Sequence, residues 1–397
     1  MDSKIDTDSL SESKKTSFIS FASLCLTVSC FALVVLFLHW YDEGEGFVRS
    51  SYYLLRSQEI FQNLVEQPIQ NVTKRNDTVV VLLWTSFFSS NTYFWPLSLN
   101  CEYNCTFTHD RQLLPNASLV VFHIRDTNSR DLPRNSTAAK AFFSLESPYN
   151  TYFSRPGVPY GYFNYSMTYM EDSDIPQGYE YKWEETFNDT SKSIEEIREI
   201  ISKKKHLALI ADSNCNTKSR REDLLIALSS QVNITRVGSC AKRSCDNNCL
   251  KKHIASHHFY LAFENSICQD YATEKFFRFT QFIVPVVLKR SVVPKRIPQN
   301  VFIAVDDFNN VAEFVHYLKK VASNHTLYER YFDWSINKKV PDNYDEKFDS
   351  MCHLCKTAHL LPQKHISDYR QILNVKNQCD ERFVYKFLEK SKLKNRK

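Results

Sequence analysis

The stretch FYLAFENSICQDYATEKFF, residues 259–277, opens with five apolar or aromatic residues. It then gathers Glu264, Asn265, Ser266, Asp270, Tyr271, Thr273, Glu274 and Lys275. Open α/β sheets bind ligands beyond the carboxyl ends of their strands, so this polar cluster suits a ligand site. A helix over 271–282 would turn its free N–H groups toward an anion, with Lys275 in its first turn. Glu274 and Asn265 suit sugar hydroxyls, and Tyr271 suits stacking on a flat base. The same residues also fit a plain capped helix, with Asp270 as N-cap and Glu274 facing the dipole.

Six glycines, at 44, 46, 157, 161, 178 and 238, form no G-x-G-x-x-G, no Walker A loop and no G-x-S-x-G elbow. That removes most of the case for a dinucleotide oxidoreductase, a P-loop NTPase or an α/β-hydrolase. A bound phosphate would need side-chain cations and a helix N-terminus. The net charge of +5 is too weak to argue for nucleic acid.

The elements that must position these groups alternate. VVVLLWT (79–85), LVVFHI (119–124) and AFFSL (141–145) are continuous apolar runs, as expected of strands buried on both faces. YGYFNYSMTYMEDSDIP (160–176) reads as loop with a short strand. Strands follow at 207–212, 233–238, 259–263, 284–288 and 301–305, with helices over 193–205, 220–231, 271–282 and 311–323. This alternation, before and after about residue 200, predicts parallel sheets in two Rossmann-like halves facing a cleft. The tail after about 336 reads as Lys-rich and peripheral.

Residues 18–40 run without Asp, Glu, Lys or Arg, long enough to span about 30 Å of hydrocarbon as a helix. Lys14 and Lys15 precede them and Asp42, Glu43 and Glu45 follow, which puts residues 1–17 in the cytosol and the body in the lumen. N-glycosylation sequons fall only after the anchor, at Asn71, Asn76, Asn104, Asn116, Asn135, Asn164, Asn188, Asn233 and Asn324. Cys25 and Cys30 lie in the anchor. The other ten cysteines, an even number, are in a compartment where disulfides persist. CHLC (352–355), with His353, His359 and His365 nearby, has zinc-like spacing, but disulfides are favoured there. CAKRSCDNNC (240–249) reads as a disulfide-pinned loop, its pairing open.

FYLAFENSICQDYATEKFF followed by VPVVL resembles the donor-binding signature of the α-1,3-fucosyltransferases, glycosyltransferase family 10. That signature runs roughly F-Y-L-x-F-E-N-S-x-x-x-D-Y-[IV]-T-E-K, then P-V-V-L. The similarity extends through VFIAVDDFNNVAEFVHYLKKVASNHTLYERYFDW (301–334), SLESP (144–148), FNYSMTYMEDSDIP (163–176), ADSNCNTKSRRE (211–222) and CHLC. Cys268 and the KFF at 275–277 look nearer the invertebrate and plant enzymes that act on the N-glycan core.

The resemblance implies a GT-B arrangement on a Golgi type II membrane protein. Its parts would be a tail (1–17), an anchor (18–40), a stem (41–77), an acceptor-side domain (78–200), a GDP-fucose-binding domain (201–335) and a Cys-containing basic tail (336–397). It implies Glu146, in E-S-P, as catalytic base, although a surface Glu after a strand is the bland alternative. Donor contacts would come from Arg221, Asn265, Ser266, Tyr271, Glu274 and Lys275, with Arg220 adjacent. The bland alternative for both arginines is a solvated first helical turn.

The partners implied are GDP-fucose and glycan acceptors on glycoproteins. No cofactor would be required, with stimulation by a divalent cation left open. Two rivals remain. DSD (172–174) resembles a metal-binding D-x-D and fits a Mn²⁺-dependent Golgi transferase with another donor. The third reading is a weak or inactive GDP-fucose-binding homologue. It rests on two departures: FTQFIVPVVLKR lacks the family's usual Gly-bearing turn, and Ala272 replaces a branched aliphatic.

Overall fold

The computed structural model describes residues 78–90, 101–151, 157–179, 192–336 and 350–394. The 18–40 segment, the 41–77 stem and the sequons at Asn71, Asn76 and Asn188 lie outside them. Among the described residues no helix is long and apolar enough to cross a membrane.

Two parallel sheets form the frame. The first contains β1 (Val79–Leu83), β2 (Cys105–Thr108), β3 (Ala117–His123), β4 (Ala139–Ser144), β5 (Tyr165–Thr168) and β6 (Ile175–Pro176), in the order β2-β1-β3-β4-β5-β6. Its central register runs from Leu119 opposite Ala139 to His123 opposite Phe143. The second contains β7 (His206–Ala211), β8 (Ile234–Val237), β9 (His257–Leu261), β10 (Val284–Val287) and β11 (Ile303–Ala304), in the order β11-β10-β9-β7-β8.

The inner strands are apolar throughout because both faces are covered: Leu119–Phe122 and Phe259–Leu261 are all buried. Each such side chain contributes roughly 1.5–3 kcal/mol by leaving water. The expected strand at 301–305 shrinks to Ile303–Ala304, its pairing limited to Val286 and Val287 at the sheet edge.

The helices follow their caps. α1 is the single turn Pro148–Thr151, and α2 is Ile194–Ser202. Ser193 and Glu196 close a reciprocal capping box on α2, with bonds of 3.2 and 2.8 Å. α3 is Arg221–Ser229. α4, Asn247–Ser256, starts at the Asp246 cap, inside what read as a pinned loop. α5, Val311–Ser323, is capped by Asn310 and buries Val311, Phe314, Val315, Leu318 and Val321 at helical spacing.

The tail is not peripheral. α6 (Ser350–Leu360) sends Met351, Leu354 and Ala358 into the first core, and α7 (Phe383–Lys394) sends Val384 and Phe387 into the second. Disulfides Cys101–Cys352 and Cys105–Cys355 pin α6 to the start of β2. The other pairs are Cys215–Cys240, Cys245–Cys249 and Cys268–Cys379, so all ten cysteines of the body are joined. CHLC is thus a double staple, neither a zinc site nor an internal pair.

The expected α-helix over 271–282 does not form. A 3₁₀ helix spans Phe276–Gln281, and Phe276, Phe277, Phe279 and Thr280 are all buried. Arg278 and Gln281, the other two residues of this turn, are only partly covered. Phe282 ends it in the left-handed region at φ 57°. That conformation costs a side-chain-bearing residue roughly 1–2 kcal/mol. Phe282 offsets the cost by stacking on Trp334, centroids 5.6 Å apart.

Candidate active site

Glu146 follows the carboxyl end of β4. Pro148 opens α1, where its missing N–H is harmless. The single turn brings Asn150 back over Glu146, four residues earlier, and its Nδ2 donates to Glu146 Oε2 at 3.1 Å. The Thr151 hydroxyl is 3.1 Å from the Glu146 carbonyl oxygen and 2.9 Å from that of Ser147. The Tyr179 hydroxyl donates to the Leu145 carbonyl at 2.8 Å. The carboxylate therefore projects from a tightly bonded corner.

The second half presents the loop after β9. Glu264 is buried and accepts from Thr273 N at 2.9 Å and Thr273 Oγ1 at 2.6 Å. Lys275 Nζ lies 3.1 Å from Glu264 Oε2 and donates to Glu274 Oε1 at 3.0 Å and Thr273 Oγ1 at 2.9 Å. Burial pushes the Glu264 carboxyl up, and Lys275 opposes it. Burial would lower the Lys275 ammonium, but Glu264 and Glu274 outweigh that and raise it. Lys275 is thus a cation at the carboxyl end of β9, as the sequence suggested, but two carboxylates hold it rather than a helix N-terminus. Glu274 remains 46% exposed and can face a ligand.

Asp270 is not a helix cap. It sits at φ 59°, and its Oδ2 accepts from Glu171 N at 3.4 Å. Burial raises its pKa to about 6. Arg221 is buried at the start of α3, donating to the carbonyls of Phe263 (2.6 Å) and Asn214 (2.7 Å). It ties the β7 and β9 loops together. Arg220 points outward and pairs with Asp223 at 2.7 Å.

The two halves meet here. Ser147 Oγ donates to Ser266 Oγ at 2.9 Å, and Ser266 Oγ donates to Asn265 Oδ1 at 3.1 Å. Tyr271 is 2% exposed, with its ring centroid 5.0 Å from that of Tyr169 and its hydroxyl donating to Glu146 Oε2 at 3.5 Å. Its ring is therefore packed in the first core, not open for stacking on a base. Burial, then Tyr179 and Glu146, push its hydroxyl well up, so it stays a proton donor. Lys218 reaches over Tyr149 at 6.0 Å. Cys268–Cys379 clamps the loop from behind, with Gln269 N bonded to Gln378 O and Asp380 N to Ile267 O, both at 2.8 Å.

Sequence reasoning missed Ser147, Asn150, Tyr169 and Tyr179. Asn150 had a signal, the i, i+4 spacing from Glu146; Tyr179 had none.

The D-x-D pair does not present two free carboxylates. Asp174 Oδ2 accepts from Ser166 N (2.8 Å) and Ser166 Oγ (2.7 Å), and Oδ1 pairs with Lys364. Among the described residues, two groups lie close enough to hold a metal: Cys105–Cys355–His359 and Cys245–Cys249–His253. In both, the cysteines are in disulfides.

This constellation belongs to a known class. Residues 201–376 match the C-terminal domain of "Glycosyltransferase family 10 (fucosyltransferase)", and residues 76–180 match "Fucosyltransferase, N-terminal". Alpha-(1,3)-fucosyltransferase fut-5 of Caenorhabditis elegans is 30% identical over 354 residues, 80% of this chain and 89% of that protein. Alpha-(1,3)-fucosyltransferase fut-1 of the same organism is 32% identical over 278 residues, 67% of this chain and 63% of that protein. A crystal structure of an α1,3-fucosyltransferase with GDP superposes with a TM-score of 0.50 at 15% identity, covering 72% of this chain and 92% of that one, which shows the shared fold. The chain belongs to glycosyltransferase family 10, the fucosyltransferases.

Proposed function

We propose that this protein transfers L-fucose, with inversion, from GDP-β-L-fucose to the 3-OH of a GlcNAc in glycoprotein glycans. One observation carries the assignment: the E-S-P corner and the donor signature loop are bonded to each other, Ser147 to Ser266 and Tyr271 to Glu146. A base on one half and a cation on the other then flank one reaction centre.

Glu146 takes the acceptor hydroxyl proton. The hydroxyl oxygen forms the new bond to the anomeric carbon as the bond to the β-phosphate oxygen breaks, and that electron pair leaves with GDP. A positioned general base contributes about 10²–10⁴-fold. Lys275 stabilises the departing diphosphate, with Glu274, its exposed partner, giving way to the phosphate oxygens. Arg221 supports the pocket from beneath, and Asn265 and Ser266 complete it. No metal is assigned a step, and a divalent cation would act only as a stimulant. The engaged carboxylate of Asp174 supports this choice over the D-x-D reading.

The wider reading is a GT-B enzyme anchored by residues 18–40 as a single-pass type II protein of the Golgi, its body in the lumen. Asn104, Asn116, Asn135, Asn233 and Asn324 are exposed and available as glycosylation sites.

The test is incubation of the purified protein with GDP-fucose and core-type and lactosamine-type acceptors, products read by mass spectrometry and linkage analysis, with an EDTA arm. Gain of one deoxyhexose on the GlcNAc 3-OH, retained in EDTA, is expected. GDP binding without transfer to any acceptor would overturn the assignment in favour of an inactive homologue.

A further inference from the structure

Among the described residues, the two side-chain donors that reach Glu146 address the same oxygen. Asn150 Nδ2 and the Tyr271 hydroxyl both bond to Oε2, at 3.1 and 3.5 Å. The corner beneath is fixed independently through Thr151 and Tyr179. A carboxylate flanked by two donors on one oxygen has its rotation about the terminal bond restricted, and among the described residues no side-chain donor is bonded to Oε1.

We propose that Asn150 is a positioning residue: with Tyr271 it fixes Oε2 of Glu146, so that Oε1 is the oxygen that takes the proton from the acceptor hydroxyl. This rests on the reading of Glu146 as base. Tyr271 belongs to the donor signature loop, so the loop that holds the nucleotide sugar also sets the base on the opposite half. Asn150 comes from α1 and does not depend on that loop. The fixed geometry matters for rate because a general base must lie within about 2.6–3.2 Å of its proton in a productive pose. Once the proton arrives on Oε1, the bonds at Oε2 persist, and the product hydroxyl oxygen departs as the new ether.

Asn150→Leu keeps the side-chain shape and removes the N–H donor. The expected result is a fall in kcat of about 10–100-fold, a part of the whole general-base contribution. KM for GDP-fucose and the thermal midpoint should stay near wild type. Glu146→Gln and the Glu146→Gln/Asn150→Leu double variant separate the two claims. Where Asn150 works through the base, its substitution adds nothing once Glu146 is gone. Asn150→Leu at wild-type kcat, with Glu146→Gln inactive, would overturn the positioning role and leave the base standing. So would an Asn150→Leu loss that multiplies with that of Glu146→Gln. An active Glu146→Gln would instead remove the base itself.

Discussion

Ser147 Oγ donates to Ser266 Oγ at 2.9 Å across 119 residues, joining the corner that carries Glu146 to the loop that carries Lys275. Both serines are fully buried, and the pair is not symmetric. Ser266 donates onward to Asn265, whereas Ser147 donates to Ser266 alone. Ser266→Ala strands a buried hydroxyl and should cost about 1–3 kcal/mol; Ser147→Ala leaves Ser266 bonded to Asn265 and should cost about 0.5–1.5. Thermal or denaturant melts of the two variants check the order, and a larger cost for Ser147→Ala would refute it.

Lys275 supports the fold as well as the proposed donor site. Lys275→Met leaves Glu264 buried without its cation, a loss of roughly 3–5 kcal/mol. Because burial already pushes Glu264 up, that variant should recover stability as pH falls and the carboxyl protonates. Glu264→Gln/Lys275→Met should melt near wild type and remain inactive. An active double variant would show that Lys275 is not needed at the diphosphate.

Asp270 sets a pH dependence. Its folded pKa of about 6 exceeds the unfolded value of 3.8, so the folded state binds the proton more tightly between them. Its contribution is therefore full below about pH 4 and is lost as pH rises through about 6. Asn tolerates positive φ and keeps the acceptor for Glu171 N. Asp270→Asn should match wild type near pH 4 and melt higher above pH 6. A difference that does not vary with pH would contradict this.

The paired staples are predicted to be non-additive. Cys101–Cys352 and Cys105–Cys355 close loops of 251 and 250 residues, but either one leaves the other only a short loop to close. Removing the first should cost roughly 2–3 kcal/mol and removing the second about 5. Equal, additive losses in melts of single and double Cys→Ser pairs would refute the shared-loop account.

The alternation of strands and helices was largely legible in the sequence. Helices were read over α2, α3 and α5, and unbroken apolar runs marked β3, β4 and β9. The unread parts depend on contacts far apart in sequence. Nothing local to Met351, Leu354 or Cys355 says that they cover a sheet built 250 residues earlier. YATEKFFRFTQF was read as one helix, but only Phe276–Gln281 turns, as a 3₁₀ helix with its phenylalanines buried. Tyr271 was read as open for stacking on a base, but its ring packs against Tyr169 and its hydroxyl reaches Glu146. Its partners Tyr169 and Glu146 lie more than 100 residues away, and only packing brings them to it.

The most direct test of the account is the turnover of Glu146→Gln beside wild type, at saturating GDP-fucose and acceptor, with GDP binding measured on both. The variant keeps size and shape and cannot accept the proton. We predict GDP binding equal to wild type and a fall in turnover of at least about 10²-fold. Wild-type turnover in Glu146→Gln would contradict the central claim that this carboxylate is the base.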